Sequence, residues 1–257
     1  MEVQIRNNVF IRTNQIEQAK PCIWFLHGFG DSGIAYKEVF DSPLANRFNI
    51  YVVDLPGFGV SPIHPSYLSI KKQAELMSQI ISKETANQVE VNIVAHSLGA
   101  LIGTWICQAL EEKINYYFSI EGNLTEADSY FSSKPLKFNT VEDFYKSFTE
   151  EVFELAKIEE RYKRYYSSLR LADPKGMNNW STSSQAFIKG NSCGFEFKHL
   201  KCKKVYIWGD VDTPKETQAF IVNEQIPSRL YKGVGHWHMH ENADQFYKDL
   251  LDDLVVE

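Results

Sequence analysis

Apolar positions along this chain follow two rhythms. Short, nearly unbroken apolar runs recur at Pro21–Leu26, Phe48–Val53 and Val89–Val94. Such runs predict strands buried on both faces. Between them, apolar residues return every three or four positions, over 34–48 and again at Ile70, Ala74, Met77, Ile80 and Ile81 behind the capping candidate Ser69. That spacing predicts helices. Val3–Thr13 reads as a hairpin around Asn7-Asn8, and Val205–Trp208 and Arg229–Lys232 read as later strands. Ala243, Phe246, Tyr247, Leu250 and Leu254 give a closing amphipathic helix. Strands alternating with helices predict an α/β protein, a mostly parallel sheet covered on both faces.

One stretch departs from the alternation. From 123 to 200 the pattern contains helices and loops but no strand, and it is rich in aromatics such as Phe131, Tyr162, Tyr165 and Trp180. Thr140 with Asp143 resembles a capping box, and Val141, Phe144, Phe148, Val152 and Leu155 form an apolar stripe behind it. The expected organisation is a core of 1–122 plus 201–257, with 123–200 inserted as a helical lid.

Composition narrows the partners. The 257 residues are 44% hydrophobic and 23% charged, with a net charge of −6, ordinary values for a globular chain. Without a strong basic cluster, nucleic acid and anionic membrane surfaces are poor partners. No apolar stretch is long enough to span a bilayer. The start, Met1–Asn8, lacks the basic-then-apolar signal pattern. The four cysteines show no CxxC pairing, so a reducing cytoplasmic setting is expected.

The chemistry concentrates at predicted strand ends. Ala95-His-Ser-Leu-Gly99 turns a buried strand into a helix, which would hold Ser97 out above the carboxyl edge of the sheet. The two backbones nearly touch at such a turn, so small residues are needed at positions 95 and 99. His27-Gly-Phe-Gly30 follows an earlier strand, and its Phe29 N–H together with that of Leu98 would form a two-donor oxyanion hole. Asp210 and Asp212 follow a later strand, and Gly235-His236 follows the next. A serine hydroxyl becomes a useful nucleophile when an imidazole takes its proton, and the imidazole needs a carboxylate to fix its tautomer. The order Ser, Asp, His is one known solution.

On these residues, and on Asp54-Leu-Pro-Gly-Phe-Gly-Val-Ser61, the chain resembles the α/β-hydrolase superfamily over nearly its whole length. The resemblance implies an eight-stranded sheet with an antiparallel second strand and a helical cap after the sixth. It also implies Ser97 as nucleophile, His236 as base and an Asp after the seventh strand as acid. Asp212 stands at the usual spacing for that acid and is preferred to Asp210. Glu121, at the end of the strand Tyr116–Ile120, is a third candidate. Ala95 in place of the usual Gly is a departure that removes no required group.

His236, His238 and His240 would share one side of an extended segment, but no further ligand stands at metal spacing, so neither a metal nor a cofactor is expected. Tyr145, Phe148 and Trp237 are candidate substrate contacts. The expected activity is hydrolysis of a small-molecule carboxylic ester or thioester through an acyl-enzyme. Cleavage of a C–C bond by the same triad is one alternative. A receptor-like ligand-binding protein on this scaffold is another.

Overall fold

The computed structural model describes residues 1–14, 16–17, 20–85 and 90–255. Eight strands form one sheet: β1 (Glu2–Arg6), β2 (Val9–Thr13), β3 (Cys22–Leu26), β4 (Asn49–Asp54), β5 (Val91–His96), β6 (Ile114–Ile120), β7 (Lys203–Gly209) and β8 (Ser228–Tyr231). Their order across the sheet is β1-β2-β4-β3-β5-β6-β7-β8. The hairpin β1–β2 and the β2–β4 pair are antiparallel, and every other pairing is parallel. Asn7 and Asn8 make the hairpin turn with φ of 50° and 63°, a left-handed region that asparagine tolerates. The predicted strand start at Val89 lies outside the described residues.

Every residue of β3, β4 and β5 is buried, because helices cover both faces. The helices are α1 (Leu44–Arg47), α2 (Ile70–Glu84), α3 (Gly99–Ala109), α4 (Val141–Ile158), α5 (Glu160–Leu169), α6 (Pro174–Ile188), α7 (Ser192–Lys198), α8 (Lys215–Asn223), α9 (His238–Glu241) and α10 (Ala243–Val255). α2, α3 and α7 pack together as one group; α1, α9 and α10 pack with the 3-10 segment Gly33–Asp41 as another. Adjacent strands also lock through side chains: Trp24 and Tyr51 are register partners on β3 and β4, and their rings stack at 4.1 Å. Such cross-strand pairs stabilise a sheet beyond its backbone ladder.

The single helix predicted over 34–48 is instead that 3-10 segment followed by α1. Ser42, the residue before Pro43, is extended with ψ of 161°, as the proline ring disfavours helical backbone ahead of it. No strand lies between β6 and β7 among the described residues; α4 to α7 occupy that interval. Ser69 and Thr140 cap α2 and α4 as their sequence contexts predict.

Candidate active site

Two backbone bends define the site. Ser97 and Glu121 follow directly on β5 and β6, and both are left-handed, with φ of 53° and 46°. Each bend is secured by the next strand: Ser97 N–H donates to the Ile120 carbonyl at 2.8 Å, and Glu121 N–H to the Ile207 carbonyl at 2.8 Å. Non-glycine residues in this region cost about 1–3 kcal/mol each and persist where surrounding structure over-determines them. The sharp turn at Ser97 works only because its neighbours are small. A Cβ on Gly99 would lie 2.1 Å from the His27 carbonyl oxygen, and one on Gly28 would lie 2.7 Å from Ser97 Cβ.

The loop after β3 is fixed from several sides. His27 Nδ1 donates to the Gly28 carbonyl at 2.8 Å, and its Nε2 accepts the Leu55 N–H at 3.0 Å. Burial lowers the His27 pKa to about 4, so the ring is a neutral strut between the β3 and β4 loops. Tyr165 on α5 donates its hydroxyl to the Phe29 carbonyl at 3.0 Å. The N–H groups of Phe29 and Leu98 have no backbone acceptor among the described residues, the condition that an oxyanion hole requires. Below, Asp54 pairs with Arg12 at 2.7 Å and accepts the N–H of Gly33 and Val60. That cluster makes the loop 54–61 a scaffold for the site.

His236, between β8 and α9, shares a cavity with Ser97, Phe29, Tyr130, Phe131 and Trp237. Its Nδ1 lies 3.0 Å from the Tyr130 hydroxyl and 3.8 Å from Glu121 Oε2. That leaves Nε2 as the ring nitrogen available to a serine proton. Glu121 is 4% exposed and accepts the Gly209 N–H at 2.6 Å and the Thr213 hydroxyl at 2.8 Å. His238 Nε2 stands 3.4 Å from its other face. Burial alone would raise the Glu121 pKa, but the His236 and His238 side chains outweigh it and the carboxyl stays below its ordinary value. His96 is buried beside them, its Nε2 on the His236 carbonyl at 2.9 Å. Burial, with His236 next in weight, holds its pKa well below the usual range.

The two aspartates after β7 are engaged elsewhere. Asp212 accepts the backbone N–H of His236 at 2.9 Å and pairs with the Arg161 guanidinium of α5. Among the described residues, Glu121 is the only carboxylate within 4.0 Å of a His236 ring nitrogen. Asp210 closes a turn by accepting the Gly233 N–H at 2.7 Å. Asp212, the acid preferred from spacing, thus contacts the His236 backbone, and Arg161, which spacing along the chain does not place, pairs with its carboxylate.

Of the three aromatic candidates, Trp237 lines the cavity. Phe148 stands behind it, packed on Phe29 and Phe131 at ring distances of 6.2 and 5.5 Å. Tyr145 lies outside the cavity lining, its hydroxyl donating to the Leu169 carbonyl at 2.9 Å. It is one position around α4 from the buried stripe, so it ties α4 to α5. The histidine triplet also departs from the extended geometry expected of it. The chain turns into α9 at His238, so His236 and His238 face Glu121 while His240 sits with Arg161 and Arg164. No group of three or more potential metal ligands occurs among the described residues. Sequence reasoning passed over Tyr130, Asp31 and Ser132 as site residues. One signal was present for Tyr130: Thr125 and Asp128 form a capping box just before it.

A family model of the alpha/beta hydrolase fold matches residues 21–243, and the chain belongs to that family. It is 22% identical to a 2-hydroxy-6-oxononadienedioate/2-hydroxy-6-oxononatrienedioate hydrolase of Pseudomonas putida, over 95% of this chain and 92% of that protein. It is 27% identical to a pimeloyl-[acyl-carrier protein] methyl ester esterase of Aeromonas hydrophila, over 39% of this chain and 37% of the relative. The enol-lactonase of Burkholderia xenovorans superposes with a TM-score of 0.77 at 15% identity, covering 99% of this chain and 100% of that one. Hydrolysis is the activity these proteins share by name. No helix among the described residues is long and apolar enough to cross a membrane.

Proposed function

We propose that this chain is a serine hydrolase that cleaves a carboxylic ester or thioester through an acyl-enzyme. The observation that carries this reading is the left-handed Ser97 at the end of β5, sharing a cavity with His236. Ser97 Oγ attacks the substrate carbonyl carbon while its proton passes to His236 Nε2. The Phe29 and Leu98 N–H groups hold the oxyanion. Glu121 acts as the acid, its carboxylate stabilising the imidazolium through the Nδ1 face. The alcohol or thiol leaves with the proton from Nε2, and water then releases the acid by the same steps in reverse. Asp212 has a positioning role, holding the His236 backbone and Arg161. The helices between β6 and β7 act as a lid, through Tyr130, Phe131 and Tyr165.

The match to the Pseudomonas putida dioate hydrolase supports a second reading, cleavage of a C–C bond by the same residues. An organophosphonate probe tests what the two share. It should label wild-type protein at Ser97, located by peptide mapping, and should not label Ser97→Ala. Sustained multiple turnover of simple esters then selects the first reading. A label elsewhere removes the nucleophile assignment, and a single round of acylation without turnover indicates a receptor.

A further inference from the structure

The cavity beside Ser97 contains a carboxyl that the hydrolytic steps do not use. Asp31 follows the oxyanion loop directly, is 1% exposed, and lines the same cavity as Ser97 and His236. Its Oδ1 accepts the Ser32 N–H at 2.8 Å. No lysine or arginine among the described residues forms an ion pair with it. The cation closest in influence, Arg164, is held by both oxygens of Glu38 at 2.6 and 2.7 Å. Burial pushes the Asp31 carboxyl up to about 6, opposed by Ser32, Ser168 and Trp237, so at neutral pH it is largely an anion.

The rest of the lining contains no compensating charge. None of the residues around the cavity is lysine or arginine, and a second carboxyl, Asp128, stands among them. Asp128 is satisfied by the Leu124 and Thr125 N–H groups and the Thr217 hydroxyl. The cations at the rim are engaged. Lys134 lies 5.1 Å from the centre of the Phe131 ring and pairs with Glu151, and Arg161 pairs with Asp212 and Glu159. By contrast, one buried group of the lining, the Ser132 hydroxyl, has no hydrogen-bond partner among the described residues. A hydroxyl can serve a neutral substrate oxygen, but it offsets no charge, and an anion placed here would meet Asp31 across a buried, low-dielectric gap.

We infer that this cavity selects esters of monocarboxylic acids over half-esters of dicarboxylic acids, and that Asp31 is the residue that sets the discrimination. The inference rests on the serine-hydrolase reading above. It also separates this chain from the dioate hydrolase it resembles along its length, whose substrate by name bears two carboxylates.

The experiment compares two p-nitrophenyl esters of equal chain length, the hexanoate and the hydrogen adipate, with uncatalysed release subtracted. Asp31 limits the repulsion by taking a proton, so at pH 8, two units above its pKa of about 6, the kcat/KM ratio should favour the hexanoate on the order of 10²-fold, falling to about tenfold at pH 7. Asp31→Asn should lower that ratio by at least about tenfold, mainly by improving adipate turnover. Asp31→Ser, which still offers an acceptor to Ser32 N–H, gives the same measurement if the asparagine variant does not fold. Turnover of both esters at equal efficiency, or a ratio unchanged in a folded Asp31 variant, overturns the inference and leaves the hydrolase reading intact. No turnover of either ester, with no phosphonate label on Ser97, overturns both.

Discussion

Exchanging Glu121 for Gln tests the site where its geometry departs most from its sequence pattern. The substitution keeps the shape of the side chain and one oxygen for the Gly209 N–H, but removes the negative charge 3.8 Å from His236 Nδ1. At an effective dielectric of about 20, a unit charge pair at that separation is worth roughly 4 kcal/mol. This energy is available only once His236 has taken the serine proton, so its loss falls on the transition state. It corresponds to about 10³-fold in kcat, within the loss of up to about 10⁴ known when a catalytic histidine lacks its carboxylate. Asp212→Asn keeps an acceptor for the His236 N–H and loses the pairing with Arg161. A partly exposed ion pair of this kind contributes about 0–1 kcal/mol, so the expected loss in kcat is about tenfold or less. The assay is steady-state hydrolysis of a p-nitrophenyl ester by both variants, with melting temperatures to establish that each is folded. If folded Glu121→Gln stays within tenfold of wild type while Asp212→Asn falls by about 10³, the acid is Asp212 and the geometric reasoning fails.

Tyr130→Phe removes the hydroxyl 3.0 Å from His236 Nδ1 but not the charge that stabilises imidazolium, so kcat should stay within about tenfold of wild type; a loss near 10³ in steady-state assays would make the phenol the essential partner. Phe148→Ala, in the packed layer behind the cavity, should cost about 3–5 kcal/mol in denaturant unfolding and lower turnover uniformly across acyl lengths. A selective change with little loss of stability would instead place Phe148 against substrate. His27 carries a pH signature. Its pKa falls from 6.5 to about 4 on folding, so the unfolded chain binds a proton there that the folded chain does not. The stabilising difference is whole above pH 6.5 and declines as pH falls towards 4, by up to about 3 kcal/mol. Urea titrations across that window should show a shallower pH slope for His27→Gln than for wild type, and equal slopes would contradict the neutral strut.

Much of this protein is legible in one dimension because the relevant physics is local. A strand buried on both faces needs an apolar run, a helix on a sheet needs an apolar return every three or four residues, and a strand-to-helix turn as tight as that at Ser97 needs glycine where backbones touch. Those constraints place the strands, most helices and the tight turn at Ser97, whereas the candidate oxyanion loop His27–Gly30 and His236 are legible only from the order of motifs and the family resemblance. They do not say which carboxylate faces a ring. Asp212 and Glu121 each follow a strand, and spacing favours Asp212. Spacing does not reveal that Arg161, 51 residues earlier on α5, pairs with Asp212, or that the left-handed Glu121 lies 3.8 Å from the His236 ring. The same holds for Tyr145 and Tyr130. Helical periodicity marks Tyr145 as one of many aromatics in the segment between β6 and β7, but only the packing of α4 on α5 turns its hydroxyl to Leu169. Tyr130 follows a capped turn with no distinguishing period, and it meets His236 where that turn is anchored by Thr125 and Asp128 on Thr217 of α8. Local pattern determines what each segment becomes, whereas the direction of a side chain depends on long-range packing and competition for partners, which arise only when distant segments meet.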